Sequence, residues 1–119
     1  WVDRRDIEIA AEEGNERAKL ALKVFAHSVK FYIGGYMAEM NGADAIVFTA
    51  GVGENDIGTR DMICAEMECL GIELCANCND IRGKEAIIST DTSKVKVLLV
   101  PTNEELMIAR DTLEIVSKK

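Results

Sequence analysis

The amino-acid sequence predicts an α/β fold, with helices layered on a small sheet. Asp44 to Thr49 (Asp-Ala-Ile-Val-Phe-Thr) is a short continuous apolar run, the pattern of a parallel strand covered on both faces. Val95 to Val100 (Val-Lys-Val-Leu-Leu-Val) is a second and stronger run, ended by Pro101. Helical patterning flanks both, in the order helix, helix, strand, helix, strand, strand, helix, which is that of an α/β layer architecture.

Each element has a local reason. Residues 6–13 read as a short acidic helix stopped by Gly14-Asn15. A long helix follows from Glu16 to Met40, with Leu20, Val24, His27, Phe31 and Gly35 on one stripe and Leu22, Phe25, Val29, Tyr36 and Met40 on another. Two apolar stripes predict burial on more than one side, and Asn41-Gly42 caps the end. The first strand runs into Ala50-Gly51-Val52-Gly53-Glu54-Asn55, read as a glycine-rich strand-to-helix turn. A further helix is expected from Ile57 to Leu70, with Ile63, Met67 and Leu70 on one face and Gly71 after it. Ile72 to Leu74 is a short extended segment, Asn77 to Lys84 is polar, Ala86 to Ser89 is a strand, and Asp91-Thr92-Ser93-Lys94 has turn chemistry. Thr102-Asn103-Glu104-Glu105 opens a last helix carrying Leu106, Ile108, Ala109, Leu113 and Val116. Repeats, low-complexity tracts and internal linkers are absent, so residues 1–119 read as a single domain, or part of one.

Composition narrows the function. Against 21 Asp plus Glu stand 14 Lys plus Arg, a net charge of −7. Nucleic acid and anionic membrane surfaces require a basic stripe, and here the basic residues are scattered among acids. Any anionic ligand must be held locally. No apolar run approaches the roughly 18–20 residues that span a bilayer, and the start lacks a signal-peptide pattern, so a cytoplasmic protein is expected. A chain that begins at Trp1 and has one Pro reads as a piece of something longer.

Cys64, Cys69, Cys75 and Cys78 share one short window, and Cys75 and Cys78 form a C-x-x-C. As zinc ligands their spacing is poor, since Cys64 and Cys69 on one helix would point about 140° apart. Four reduced thiols are the expectation. A thioredoxin-like role is disfavoured because no strand runs directly into the C-x-x-C.

Two strand-to-helix junctions, Thr49 to Asn55 and Pro101 to Glu105, are the candidate site, because the carboxyl ends of adjacent parallel strands form the ligand crevice of open α/β sheets. Gly51 and Gly53 lack Cβ atoms and let the backbone approach a ligand. The same glycines also suit an ordinary turn, and neither a Walker loop nor a Rossmann fingerprint is present. At the second junction Thr102 and Glu105 are spaced as a capping box, which accounts for Glu105 but leaves Glu104 to face either solvent or a hydrated Mg²⁺. His27 is expected to be a packed core or interface residue, and Asp3-Arg4-Arg5-Asp6 reads as solvated charge.

Three motifs carry a family resemblance: Ile46 to Asn55 (Ile-Val-Phe-Thr-Ala-Gly-Val-Gly-Glu-Asn), Val100 to Leu106 (Val-Pro-Thr-Asn-Glu-Glu-Leu), and Arg5-Asp6-Ile7-Glu8 with Gly14-Asn15-Glu16-Arg17-Ala18. In order and spacing they resemble acetate kinase, from Asp3 to the C-terminus. The resemblance implies a partial ribonuclease H-like, actin-type ATPase lobe of the sugar kinase–Hsp70–actin superfold, its helices on a small mostly parallel sheet. It implies that Gly51, Val52, Gly53, Glu54 and Asn55 line the site for ATP or ADP. Asp3, Arg4 and Arg5 fall where the family has an Asp-aromatic-Arg contact to nucleotide, and Glu104 corresponds to the carboxylate that helps hold Mg²⁺ (or Mn²⁺). The family reaction is reversible transfer of the ATP γ-phosphoryl group to a small carboxylate such as acetate, and family enzymes pair as homodimers through this lobe. Propionate kinase shares these motifs. The resemblance implies no catalytic residue among the 119, because the phosphate-binding segment, the catalytic Arg and His and the acid pocket lie in the other part of such an enzyme. A non-catalytic nucleotide-binding or dimerisation module is the alternative. Departures from the pattern are Trp1-Val2 for small hydroxyl residues, Arg4 for an aromatic or Met, and His27 for Tyr.

Overall fold

The structure, a computed structural model, describes residues 3–118; Trp1 and Val2, where the sequence departs from the family pattern, lie outside the described residues. Helix α1 is Arg4–Glu12, starting earlier than its acidic run suggests because the Asp3 carboxylate accepts the Arg5 N–H at 2.8 Å and caps it. Gly14, at φ +94°, ends the helix, and Asn15 starts the next by accepting the N–H groups of Arg17 and Ala18 at 3.0 and 3.1 Å. The Gly-Asn pair is therefore both a stop and a start.

Helix α2 is Glu16–Glu39. It ends where Asn41 and Gly42 turn left-handed, and the Gly42 N–H closes back on the Met37 carbonyl at 2.7 Å. Of its two apolar stripes only one side finds a partner: Ala18, Ala26 and Met37 are buried, whereas Leu20, Phe31, Tyr36 and Met40 are 60–71% exposed. His27 is exposed as well, so of the two places expected for it, core or interface, the core is excluded. The stripes are apolar, but among the described residues nothing covers the outer one.

Strand β1 (Ala45–Phe48) is followed by helices α3 (Ala50–Asn55), α4 (Ile57–Cys64) and α5 (Ala76–Asn79), then by strands β2 (Ala86–Ile87) and β3 (Lys96–Leu99) and helix α6 (Glu104–Ser117). The helix expected over Ile57 to Leu70 breaks at Cys64 and resumes only as a 3₁₀ turn, Glu68–Leu70. Glu66 takes φ +57° at the break, and the redirected chain brings both Met67 and Ile72 into the core. The sheet order is β1-β3-β2. Strand β1 runs parallel to β3, from Ala45↔Lys96 to Phe48↔Leu99, and β2 is antiparallel to β3, with Ala86↔Leu99 and Ile87↔Leu98. The sheet is thus mixed, because β2 reaches β3 through the tight Asp91–Lys94 turn and not through a crossover helix. Phe48, Val97 and Leu99 on one sheet face pack with Ile63, Met67, Ile72, Ile88, Ala26 and Met37 to form the core.

Helix α6 buries no residue, and Leu113 and Ile115 on it are 65% and 66% exposed. The radius of gyration, 17.2 Å, exceeds the roughly 13–14 Å of a compact domain of this length. No helix among the described residues is long and apolar enough to cross a membrane.

The cysteines are not all free, which corrects the expectation of four thiols. Cys75 and Cys78 are disulfide-bonded, Cys64 is buried and Cys69 exposed. A C-x-x-C turn brings its sulfurs together by local geometry alone, which a reading by compartment does not register. Burial pushes the Cys64 thiol up to about 11. Alkylation of the native protein at neutral pH is therefore expected to label Cys69 and to spare Cys64 until denaturant is added; equal labelling of both in the folded state would contradict this packing.

Candidate functional site

The parallel pairing of β1 and β3 sets their carboxyl ends side by side, with the Val100 N–H donating to the Phe48 carbonyl at 3.0 Å. Both expected junctions therefore open on the same edge. After β1 the chain turns at Ala50, φ +57°, and goes at once into α3, so the glycine-rich turn is a short helix. Its glycines do different things. A Cβ on Gly53 would lie 3.2 Å from the Phe48 carbonyl carbon, so Gly53 allows α3 to lie against the strand end, while Gly51 faces open space.

Glu54 joins the two junctions. Its carboxylate accepts the Thr102 N–H at 2.7 Å and the Thr102 hydroxyl at 3.0 Å, and the backbone bond is the main cause that holds its carboxyl below the usual range. Thr102 is consequently not the cap of α6, and the expected Thr102/Glu105 capping box gives way. Asn103 caps the helix by accepting the Leu106 N–H at 3.2 Å. Glu104, in the first turn, lines a concavity of about 460 Å³ with Ala50, Gly51, Glu54, Thr102 and Glu105. Of the carboxylates that line it, Glu54 is engaged by Thr102, which leaves Glu104 and Glu105; a hydrated Mg²⁺ takes one or two protein carboxylates and completes its shell with water and phosphate oxygens.

On the other side of α3, Asp3, Arg4, Arg5, Gly51, Val52 and Asn55 line a second concavity of about 540 Å³. All the residues that the resemblance assigns to nucleotide therefore border one or other face of α3, apart from Gly53, which packs against the strand. Asp3 and Arg5 are paired at 2.7 Å, and the Arg5 guanidinium holds the Asp3 carboxyl down to about 2. Arg4 does not behave as solvated charge. Its guanidinium reaches Glu8 at 2.9 Å and Asp56 at 2.6 Å, bonds the Thr59 hydroxyl, and lies 4.4 Å from the centre of the Phe25 ring. It ties α1 to α2 and α4.

Asp56 is the partner that makes this possible. It caps α4 by accepting the Thr59 N–H at 2.9 Å. Burial pushes its carboxyl up, but the bonds from Thr59 and Arg4 together outweigh that and hold it below the ordinary value. Such a group stabilises the fold fully above its unfolded pKa, near 3.9, and loses that contribution as pH falls through its lower folded value. Glu8 is raised, first by burial and then by the Asp56 charge, so its sign is opposite: it favours the fold while protonated and opposes it as pH rises past the unfolded value. Replacing Asp56→Ala is expected to cost about 2 kcal/mol in urea titrations at neutral pH. The loss is expected to shrink as pH falls below about 4; a loss of equal size at both pH values would contradict it.

Sequence reading missed the residues that hold α3 in place. Arg60 is fully buried. Its Nη1 donates to the Gly53 carbonyl at 2.8 Å, its Nε to Asn79 Oδ1 at 2.7 Å, and its Nη2 to the carbonyls of Asn79 and Ile81 at 2.9 and 2.6 Å. The Gly83 N–H donates to the Glu54 carbonyl at 3.1 Å, and Arg82 Nη1 to that of Asn55 at 2.5 Å. Three successive carbonyls, Gly53 to Asn55, are thus gripped by Arg60 and the segment that follows α5. No local signal marks Arg60, which sits in an amphipathic stretch like any surface arginine.

The fold and these joined junctions define the class: part of an actin-type ATPase lobe. The sequence profile of the Acetokinase family matches residues 2–110. Acetate kinase 2 of Clostridium perfringens is 60% identical over 116 residues, which is 98% of this chain and 29% of that protein. The crystal structure of Porphyromonas gingivalis acetate kinase superposes with a TM-score of 0.86 at 50% identity, over 96% of this chain and 29% of that one. A propionate kinase from Francisella tularensis superposes at 0.78 with 36% identity, over 90% of this chain and 27% of that one. The chain belongs to the acetokinase family, and it spans about 29% of the length of the curated relative it matches.

Proposed function

We propose that residues 1–119 are one unit of the nucleotide-binding lobe of a cytoplasmic, homodimeric acetate kinase, which transfers the ATP γ-phosphoryl group reversibly to acetate. The observation that supports this most is the Glu54–Thr102 link, which joins the end of α3 to the segment that opens α6. In this reading the 540 Å³ concavity, lined by Asp3, Arg5, Gly51, Val52 and Asn55 among others, takes the adenosine end. Glu104 and the N-terminus of α6 lie on the phosphate side, where the helix dipole favours negative charge. Charge neutralisation between the β- and γ-phosphates is what Mg²⁺ or Mn²⁺ supplies when bound, and Glu104 is the carboxylate that would hold it. Positioning and electrostatics are what such a transfer asks of this lobe. The acid pocket and the groups that meet the transferring phosphoryl lie outside these residues in this reading, so acetate is taken from the Clostridium perfringens acetate kinase at 60% identity, with propionate as the alternative.

Replacing the matching segment of the Clostridium perfringens enzyme with this chain tests the proposal. A graft that still forms acetyl phosphate from acetate and ATP is the expected result. A folded graft that binds neither nucleotide nor acetate would sink it.

A further inference from the structure

The Cys75–Cys78 pair lines neither concavity. It opens α5, which has four residues and is too short to sustain itself as a helix. On its N-terminal side the pair is anchored to the sheet region: Leu74 bridges Ser89, and the Cys75 N–H donates to the Ile88 carbonyl at 2.9 Å. An isolated bridge residue at the end of the expected extended segment therefore leads into the C-x-x-C, and, as the sequence predicts, no strand does. On its C-terminal side lies Asn79, 2% exposed, whose N–H donates to the Cys75 carbonyl at 2.8 Å and whose side chain donates to the Ile57 carbonyl at 3.2 Å. Asn79 in turn accepts twice from Arg60, and Arg60 holds Gly53. The cross-link thus closes the turn that presents Asn79, which holds the Arg60 side chain bonded to Gly53, and that leads into the segment whose Gly83 and Arg82 grip the carbonyls of Glu54 and Asn55. Cys78 is exposed and Cys75 half-buried, so a reagent in solution can reach the pair.

We propose that Cys75 and Cys78 form a reversible thiol–disulfide site that tunes nucleotide affinity through residues 79–83, with the disulfide as the tighter-binding state. The inference rests on the nucleotide reading above. Its co-reactant class is a low-molecular-weight disulfide, RSSR. One cysteine thiolate attacks a sulfur of RSSR, forming a mixed disulfide and releasing RS⁻; the second thiolate attacks the cysteine sulfur of that mixed disulfide, closing Cys75–Cys78 and releasing a second RS⁻. The two thiol protons end on two RSH, the cysteines lose two electrons, and RSSR gains them. Because linkage is reciprocal, bound nucleotide must favour the disulfide by the same factor by which the disulfide favours nucleotide.

The test equilibrates the full chain with glutathione and glutathione disulfide at graded ratios. The oxidised fraction of Cys75–Cys78 is read by alkylation and mass, with and without saturating MgADP, and MgADP affinity is measured at both extremes by calorimetry. Reduction is expected to weaken MgADP binding at least about fivefold, and MgADP is expected to shift the redox midpoint by a matching factor. A Cys75→Ser/Cys78→Ser variant should bind like the reduced chain in either buffer, and Cys69→Ser should keep the full response. The midpoint shift needs no variant and so stands if the double substitution disturbs folding. Equal affinity in both redox states would overturn the inference and leave the nucleotide reading intact, whereas no MgADP binding in either state would overturn both.

Discussion

Replacing Arg60→Ala is expected to destabilise the chain by about 3–5 kcal/mol, and to remove nucleotide binding with it. The arginine is fully buried and donates to four acceptors, the carbonyls of Gly53, Asn79 and Ile81 and the side-chain oxygen of Asn79. Truncation strands those acceptors where water has little access, at about 1–3 kcal/mol for each one that stays unsatisfied. Arg60→Lys should recover only part of the loss, since one ammonium cannot reproduce a planar fork that reaches three backbone carbonyls. Urea unfolding of the three proteins gives the comparison. A loss below about 1 kcal/mol for Arg60→Ala would mean that α3 is held by its own helical bonds and not by this side chain.

Glu104→Ala is the opposite kind of change, large in function and small in stability. Glu104 is exposed in the first turn of α6, and its removal should cost no more than the few tenths of a kcal/mol of a surface charge at a helix start. In the grafted enzyme the same change is expected to lower acetyl phosphate formation at least about 100-fold, the upper end of what losing a supporting partner costs a metal site. Glu105→Ala, one residue away on the same turn, should leave turnover near that of the parent graft. If both substitutions behave alike, Glu104 has no special relation to the metal.

The sequence revealed those features whose causes are local. The strand ends, to within a residue, the turn at Gly14-Asn15 and the reversal at Asn41-Gly42 all follow from a few neighbouring residues, and they were legible. So was the placing of the two junctions on one edge, because a parallel pair leaves little choice. The α3 helix was not, since Ala-Gly-Val-Gly has poor helix propensity, and it is the packing of Gly53 on Phe48 that sets it. Nor was the Glu54–Thr102 bond, which joins residues 48 positions apart and displaces the capping box that Thr102 and Glu105 spell out. Arg4 reads as solvated charge, and Arg60 draws no reading at all, because a guanidinium's partners, Asp56 in one case and backbone carbonyls in the other, are brought to it only by tertiary folding. The outer stripe of α2 shows the converse. Leu20, Phe31 and Tyr36 announce burial that residues 3–118 do not supply, in a chain that matches less than a third of its relatives' length.

Calorimetric titration of MgADP into the purified chain, beside a magnesium-free control, tests the central claim most directly. A prepared half-site predicts saturable binding at one site that weakens when magnesium is withheld. A chain that unfolds cooperatively in urea, and is therefore folded, yet gives no heat with MgADP, would contradict the claim that α3 and the start of α6 already form the nucleotide cradle.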